Sequence, residues 1–201
     1  MTRFDACLPL VLASEGGYSD RTDDKGGPTN FGITQATLTD WLMRPATVAD
    51  VKALTAQTVS RIYLVKYWGA AHCDVLPPGV DYMVFDLAVN SGVNRACRYL
   101  QRAVGVTEDG VIGPKTLAAV AEYPALGIIK RMAQAREAFY RGLPDFPENG
   151  HGWLNRLAGS TLEFCIKPKS LKRVQGLAHT KSLSLPFLVK TGELVLELLE
   201  L

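Results

Sequence analysis

A glutamate followed by two glycines and a tyrosine, Glu15-Gly16-Gly17-Tyr18, precedes a stretch crowded with Asp20, Asp23, Asp24, Gly26, Gly27, Thr29, Asn30 and Gly32. The first candidate for proton chemistry is Glu15. The apolar residues Phe4, Cys7, Leu8, Val11 and Leu12 follow helical spacing. They predict a first helix that stops at the paired glycines and carries Glu15 in its last turn. The C-terminal end of a helix bears about half a negative charge. A carboxyl placed there is pushed toward its neutral form, as it is by partial burial. A general acid working near neutral pH needs a carboxyl that keeps its proton. The two glycines let the chain turn away without side chains, which leaves room for a bulky substrate. Asp24 follows Glu15 by nine positions and Thr29 by fourteen. A tight loop after the helix can fold both back to face Glu15. The result is a pair of carboxylates with a hydroxyl to hold a water, a layout suited to cleaving a glycosidic bond. Taken singly, Glu15 reads equally as a solvated helix-end charge and the aspartates as turn formers. A calcium loop counted from Asp20 fails, because Lys25 falls where glycine is needed and Phe31 where glutamate is needed.

The elements that must position these groups are mostly helices. After the Asp/Gly-rich loop or small hairpin, Thr34 caps a helix to about Met43, and Thr47 opens a short one. Thr55 caps a longer helix through Trp68 whose apolar face is Val59, Ile62, Tyr63 and Tyr67. Val80 to Asn90 reads as a buried helix ending at Asn90-Ser91-Gly92. Further helices are predicted over Asn94–Val104, from the first-turn proline Pro114 to Glu122, and over Leu126–Arg141.

The composition narrows the class. The chain has 201 residues, 47% of them apolar and 21% charged, with a net charge of +2. This is a globular chain, and its charge balance leaves no basic footprint for nucleic acid. The cysteines at 7, 73, 97 and 165 are too far apart for a metal knuckle or redox pair and read as buried thiols. His72, His151 and His179 are scattered, which argues against a catalytic zinc. Asp5 and Pro9 interrupt the only segment resembling a signal peptide, and no apolar run reaches membrane-spanning length. From Ala158 onward the chain changes character, with six basic and four acidic residues and no acid between Glu163 and Glu193. An added helix or an extension is the plain reading of that tail.

Glu15-Gly16-Gly17-Tyr18 together with Asp23-Asp24-Lys25-Gly26-Gly27-Pro28-Thr29-Asn30-Phe31-Gly32-Ile33-Thr34 resembles the N-terminal signature of glycoside hydrolase family 108. Its members are phage endolysins and related bacterial lysozymes that cut peptidoglycan. The resemblance implies that Glu15 is the catalytic acid. The spacing is also similar to phage lysozymes of the lysozyme superfamily, where an Asp sits nine positions after the Glu and the Thr one position later than Thr29. Leu100-Gln101-Arg102-Ala103-Val104-Gly105 and Asp109-Gly110-Val111-Ile112-Gly113-Pro114-Lys115-Thr116 resemble the repeat of peptidoglycan-binding domains. Read as plain structure, the second of these is a turn followed by a helix. Asn90-Ser91-Gly92 is locally similar to a helix end in lytic transglycosylases, which implies an Asn90 contact to an acetamido sugar; otherwise it is a helix stop. Tyr18, Trp41, Tyr67 and Trp68 either stack on sugars or fill the core. Gly152-Trp153-Leu154-Asn155-Arg156 resembles the family's closing motif, with Trp153 structural.

Residues and resemblance together imply a predominantly α, lysozyme-like α+β fold, a helical bundle with a small irregular loop or hairpin after the first helix. Residues 1–92 are expected to form the catalytic domain, 93–157 a peptidoglycan-binding-like region and 158–201 an atypical extension. The implied reaction is hydrolysis of the β-1,4 bond between N-acetylmuramic acid and N-acetylglucosamine. Glu15, Asp24 and Thr29 would carry it, Tyr18, Asn30, Asn90 and Trp68 would contact substrate, and no metal or cofactor is called for. A lytic transglycosylase using the same Glu15, or a prophage remnant that only binds the wall, is the alternative. Peptidoglycan is the expected partner, with no nucleic acid and no stable membrane insertion. A monomer is expected, made in the cytoplasm without a signal peptide and released to the periplasmic wall through a holin-type pore.

Overall fold

Helix α5, Val80–Ser91, is the axis of the molecule. Every residue from Val80 to Ala88 is buried, as suits a helix apolar on all sides and placed at the centre of a bundle. Gly79 and Gly92 bound it with φ of 91° and 90°, conformations that favour glycine. The computed structural model of the chain describes residues 1–20 and 27–165, the last four as backbone only. Two carboxylates interrupt the apolar surface of α5, Asp81 and Asp86. Asp81 accepts from the backbone N–H of Gly79 and Tyr82 and takes a two-pronged bond from Arg3, which fastens the first helix to the start of α5.

That first helix, α1, spans Arg3–Leu12 and opens with a capping box between Thr2 and Asp5. It ends with its apolar pattern at Leu12, short of the paired glycines where its stop was expected. The N–H groups of Ser14 and Glu15 donate to the carbonyls of Val11 and Leu12 in a tightened final turn. Glu15 therefore stands three residues beyond Leu12 rather than inside the helix. Strands β1, Thr29–Asn30, and β2, Ile33–Thr34, pair antiparallel, with Thr29 opposite Thr34 and Asn30 opposite Ile33. The two-residue turn between them, Phe31-Gly32, has φ of 51° and 72°. Positive φ at both positions is the hairpin turn whose twist matches the strands, and an aromatic in the first position is unusual.

Helices α2 (Gln35–Leu42), α3 (Val48–Lys52) and α4 (Ala56–Tyr63) begin at threonine caps, Thr34, Thr47 and Thr55. Beyond α4 the chain makes a π-helical turn over Leu64–Gly69 in place of the regular helix predicted to Trp68. Trp68 is fully buried there, its ring edge-on to Phe4 at 5.7 Å and to Phe85 at 5.3 Å. Aromatic packing thus ties α1 and the π turn to α5.

Helices α6 (Val93–Ala103), α7 (Pro114–Ala121) and α8 (Ala125–Arg141) lie close to their expected spans. Between α6 and α7, Gln101 holds the Asp109-Gly110 turn. Its amide donates to Asp109, the Val111 carbonyl and Thr116, and its oxygen accepts from the Gly110 N–H. The helix α9, Phe146–Cys165, has no counterpart in the sequence reading. Pro147 and three glycines hide it, since each interior glycine weakens a helix by about 1 kcal/mol. Packing restores it: Leu154 and Leu157 are buried, and Gly150 leaves space for the Phe146 ring, which a β-carbon would approach within 2.6 Å. Helix α9 runs straight through Ala158, where the composition changes, so the boundary expected at 157/158 falls inside a helix. Residues 166–201 of the expected extension lie outside the described residues. Among the described residues no helix is long and apolar enough to cross a membrane. The described residues form a helix bundle with one two-stranded hairpin, the mostly α, lysozyme-like architecture the sequence implied.

Candidate active site

Three parts of the chain meet at Glu15: the turn that ends α1, the hairpin tip, and α9. The Glu15 side chain keeps only 17% of its surface open. Its Oε1 accepts a 2.7 Å bond from Nη1 of Arg156. Its Oε2 lies against Gly32, so close that a β-carbon on Gly32 would stand 2.5 Å away. Oε2 has no hydrogen-bond partner among the described residues. The phenol of Tyr63 flanks the same spot and donates to the Phe31 carbonyl at 2.7 Å, pinning the hairpin turn. Burial, with the nearby Glu15 charge adding to it, raises the Tyr63 pKa, so this hydroxyl stays a neutral donor.

Arg156 continues inward. Its Nε donates to Oδ1 of Asp86 at 2.9 Å, and Arg136 donates to the other oxygen, Oδ2, at 2.6 Å. Asp86 and Arg136 are each 1% exposed. Burial pushes the Asp86 carboxyl upward, but the two guanidiniums outweigh it and hold the group below its usual range. For Arg156, burial disfavours the charge, while Asp86 and Glu15 more than restore it and raise its pKa. Arg136 also donates to the Tyr140 hydroxyl at 2.6 Å, and Tyr140 donates to Oδ1 of Asn90 at 2.9 Å. One hydrogen-bonded chain therefore runs from Glu15 through Arg156, Asp86, Arg136 and Tyr140 to Asn90.

The expected site residues fare differently. Thr29 is half-buried on β1, the strand leading into the turn that covers Glu15. Tyr18 is 39% exposed, its hydroxyl on Asp20 and its ring 4.9 Å from Nζ of Lys52, which leaves an aromatic face at the surface. Asn90 is exposed at the end of the hydrogen-bonded chain. Two expectations are corrected. Trp68 has no exposed surface and its indole N–H is spent on Asp74, so it is a core residue and no sugar reaches it. Asn30 is buried and its amide donates to the Val51 carbonyl at 3.0 Å, which makes it a strut between the hairpin and α3. Asp24, with Asp23, lies outside the described residues. Among the described residues no three His, Cys, Asp or Glu side chains gather as metal ligands, and Cys7, Cys73 and Cys97 are buried free thiols.

Gly32, Tyr63, Asp86 and Arg156 had no site role in the expectations drawn from sequence, although Gly32 and Arg156 stand inside the signature and the closing motif. For Asp86 a signal existed: a carboxylate inside an otherwise apolar helix demands a buried cation. Nothing in the spacing of Arg156 shows that it would be one of the two that answer.

Comparison with known proteins fits this geometry. The glycosyl hydrolase 108 family model matches residues 8–92, and the model of a predicted peptidoglycan domain matches residues 95–158. The solved structure of Brucella abortus SagA superposes with a TM-score of 0.73 at 46% sequence identity, covering 78% of this chain and 90% of that one. No curated protein sequence matches significantly. The signature residues around Glu15, the helical fold and this near full-length relative agree: the chain belongs to the glycosyl hydrolase 108 family.

Proposed function

We propose that this peptidoglycan-directed glycoside hydrolase cleaves the β-1,4 bond between N-acetylmuramic acid and N-acetylglucosamine, with Glu15 as the general acid. The observation that carries the reading is the setting of its carboxylate. It is mostly enclosed, one oxygen is fixed by Arg156, and the other is left without a partner among the described residues. The proton passes from Glu15 to the bridging oxygen, the C1–O bond breaks, and its electron pair stays on that oxygen. The positive charge developing on the sugar ring is met by a second carboxylate, for which the nine-residue spacing nominates Asp24. Water then supplies a hydroxyl to C1, and its remaining proton returns to a carboxylate. Thr29 is the candidate to hold that water. Tyr18 and Phe31, the latter in the turn over Glu15, offer exposed aromatic faces for sugar rings.

The test is Glu15→Gln assayed on purified peptidoglycan, with mass spectrometry of the wild-type products. At least about a hundredfold loss is expected, the lower end of a general acid's contribution. The wild-type products should carry reducing muramic ends that take up oxygen from labelled water. Products ending in 1,6-anhydro sugars would reassign the reaction to transglycosylation. Pelleting with peptidoglycan without any cleavage would leave only wall binding.

A further inference from the structure

We infer that Arg156 is the positioning residue of the catalytic acid, so that the C-terminal half of the chain, matched as a peptidoglycan domain, is a working part of the hydrolase rather than a separate anchor. The inference rests on the role proposed for Glu15. Arg156 lies on α9, 141 positions from Glu15, within the stretch matched by the second family model. It is the only described residue that donates a hydrogen bond to the Glu15 carboxylate. It cannot swing freely, because the same guanidinium is fastened through Nε to Asp86, and Asp86 is clamped from its other side by Arg136 on α8. Both cations that hold this arrangement come from beyond residue 92, whereas both carboxylates come from before it.

The energetics point the same way. Two arginines on one buried carboxylate are a poor device for stability, since apolar residues of similar volume commonly do as well or better. Here Nη2 of Arg136 and Nη2 of Arg156 are both buried without a partner among the described residues. A planar fork gripped at Asp86 presents Nη1 to Oε1 from one fixed direction. That leaves Oε2 as the oxygen with no donor from the described residues and so the one that can carry the proton, and it places a fixed positive charge beside the carboxylate that forms once the proton has left.

The experiment is a double-mutant cycle in the full chain. Glu15→Gln, Arg156→Ala and the double variant are assayed for kcat and KM on purified peptidoglycan, with thermal melting as the fold control. Alone, Arg156→Ala should lower kcat by ten- to a hundredfold with KM changed less than about threefold, and in the Glu15→Gln background it should cost nothing further, because groups that act as a unit are non-additive. Arg156→Lys keeps the charge but cannot hold Glu15 and Asp86 together. It should recover part of kcat, and it carries the same cycle if the alanine variant does not fold. Should Arg156 variants keep full kcat, or multiply the Glu15→Gln loss, the positioning role is overturned while Glu15 remains the acid. Full activity in Glu15→Gln would overturn both.

Discussion

Gly32 is the roof over Glu15. A β-carbon at position 32 would lie 2.5 Å from Oε2 of Glu15 and 2.8 Å from the Tyr63 hydroxyl, and the residue has a φ of 72°. Two separate demands, close approach and left-handed backbone, therefore select glycine at one position. The hairpin that carries it is pinned by Tyr63 below and by Asn30 at its side. The short sheet thus serves to hold a smooth surface against the carboxylate.

Gly32→Ala should accordingly damage activity more than folding. A left-handed alanine costs roughly 1–3 kcal/mol, and the methyl group must also push Glu15 or Tyr63 aside. A misplacement of about 1 Å at a reacting group can cost on the order of a hundredfold in rate. The variant should melt several degrees lower and still fold, with kcat down at least tenfold. Unchanged kcat in the folded variant would show that the contact does not set the position of Glu15.

Phe31 holds its ring at the surface at the expense of local backbone stability. It is 36% exposed and adopts a φ of 51°, which asparagine tolerates much better than an aromatic does. Phe31→Asn should therefore melt at the same temperature or slightly higher, while KM for peptidoglycan rises severalfold through the lost ring face. Calorimetry and steady-state turbidity assays read the two effects separately. A fall in melting temperature with KM unchanged would make Phe31 a packing residue.

What the sequence disclosed and what it hid follow from locality. Glu15 could be nominated because the glycine pair and the Asp/Gly-rich loop are its immediate neighbours, and the helices around it were legible from apolar periodicity and threonine caps. The end of α1 was misplaced because two readings competed, apolar spacing and the glycine stop, while the chain closes with a tightened turn just after Leu12. Trp68 read as core or as a sugar platform, and the π turn with the rings of Phe4 and Phe85 decides for core. Helix α9 was invisible because its glycines and Pro147 argue against a helix that packing nevertheless imposes. With α9 went Arg156, whose partner lies at the other end of the chain. Contacts of that range leave no trace in local spacing.

The buried cluster should also set the acid limit of stability. The Asp86 carboxyl is held below its ordinary value of 3.8 in the folded state, so across that interval the unfolded chain binds more protons. Its contribution is complete above about pH 4 and is lost as the pH falls through the folded-state value. Melting temperature should drop steeply below about pH 4. Asp86→Asn should flatten that limb and cost on the order of 3–5 kcal/mol at neutral pH, because it removes the charge that lies between two buried arginines and leaves Arg156 with Glu15 alone. Parallel wild-type and mutant profiles would place the acid-labile group elsewhere.

Helix α9 carries the chain unbroken across the change in composition at Ala158. Ser160 and Thr161 are buried, and their hydroxyls donate to the carbonyls of Arg156 and Leu157 at 2.9 and 2.7 Å. A chain cut after Leu157 loses these bonds and the helical N–H partners of the same carbonyls, and the last turn of a helix frays. That turn carries Arg156. The chain cut after Leu157 should therefore fold with a lower melting temperature and lose kcat in the manner of Arg156→Ala, whereas a chain cut after Cys165 should retain both. If both truncations work equally well on purified peptidoglycan, the grip of α9 on the catalytic acid does not depend on the turn beyond it, and the functional boundary returns to residue 157.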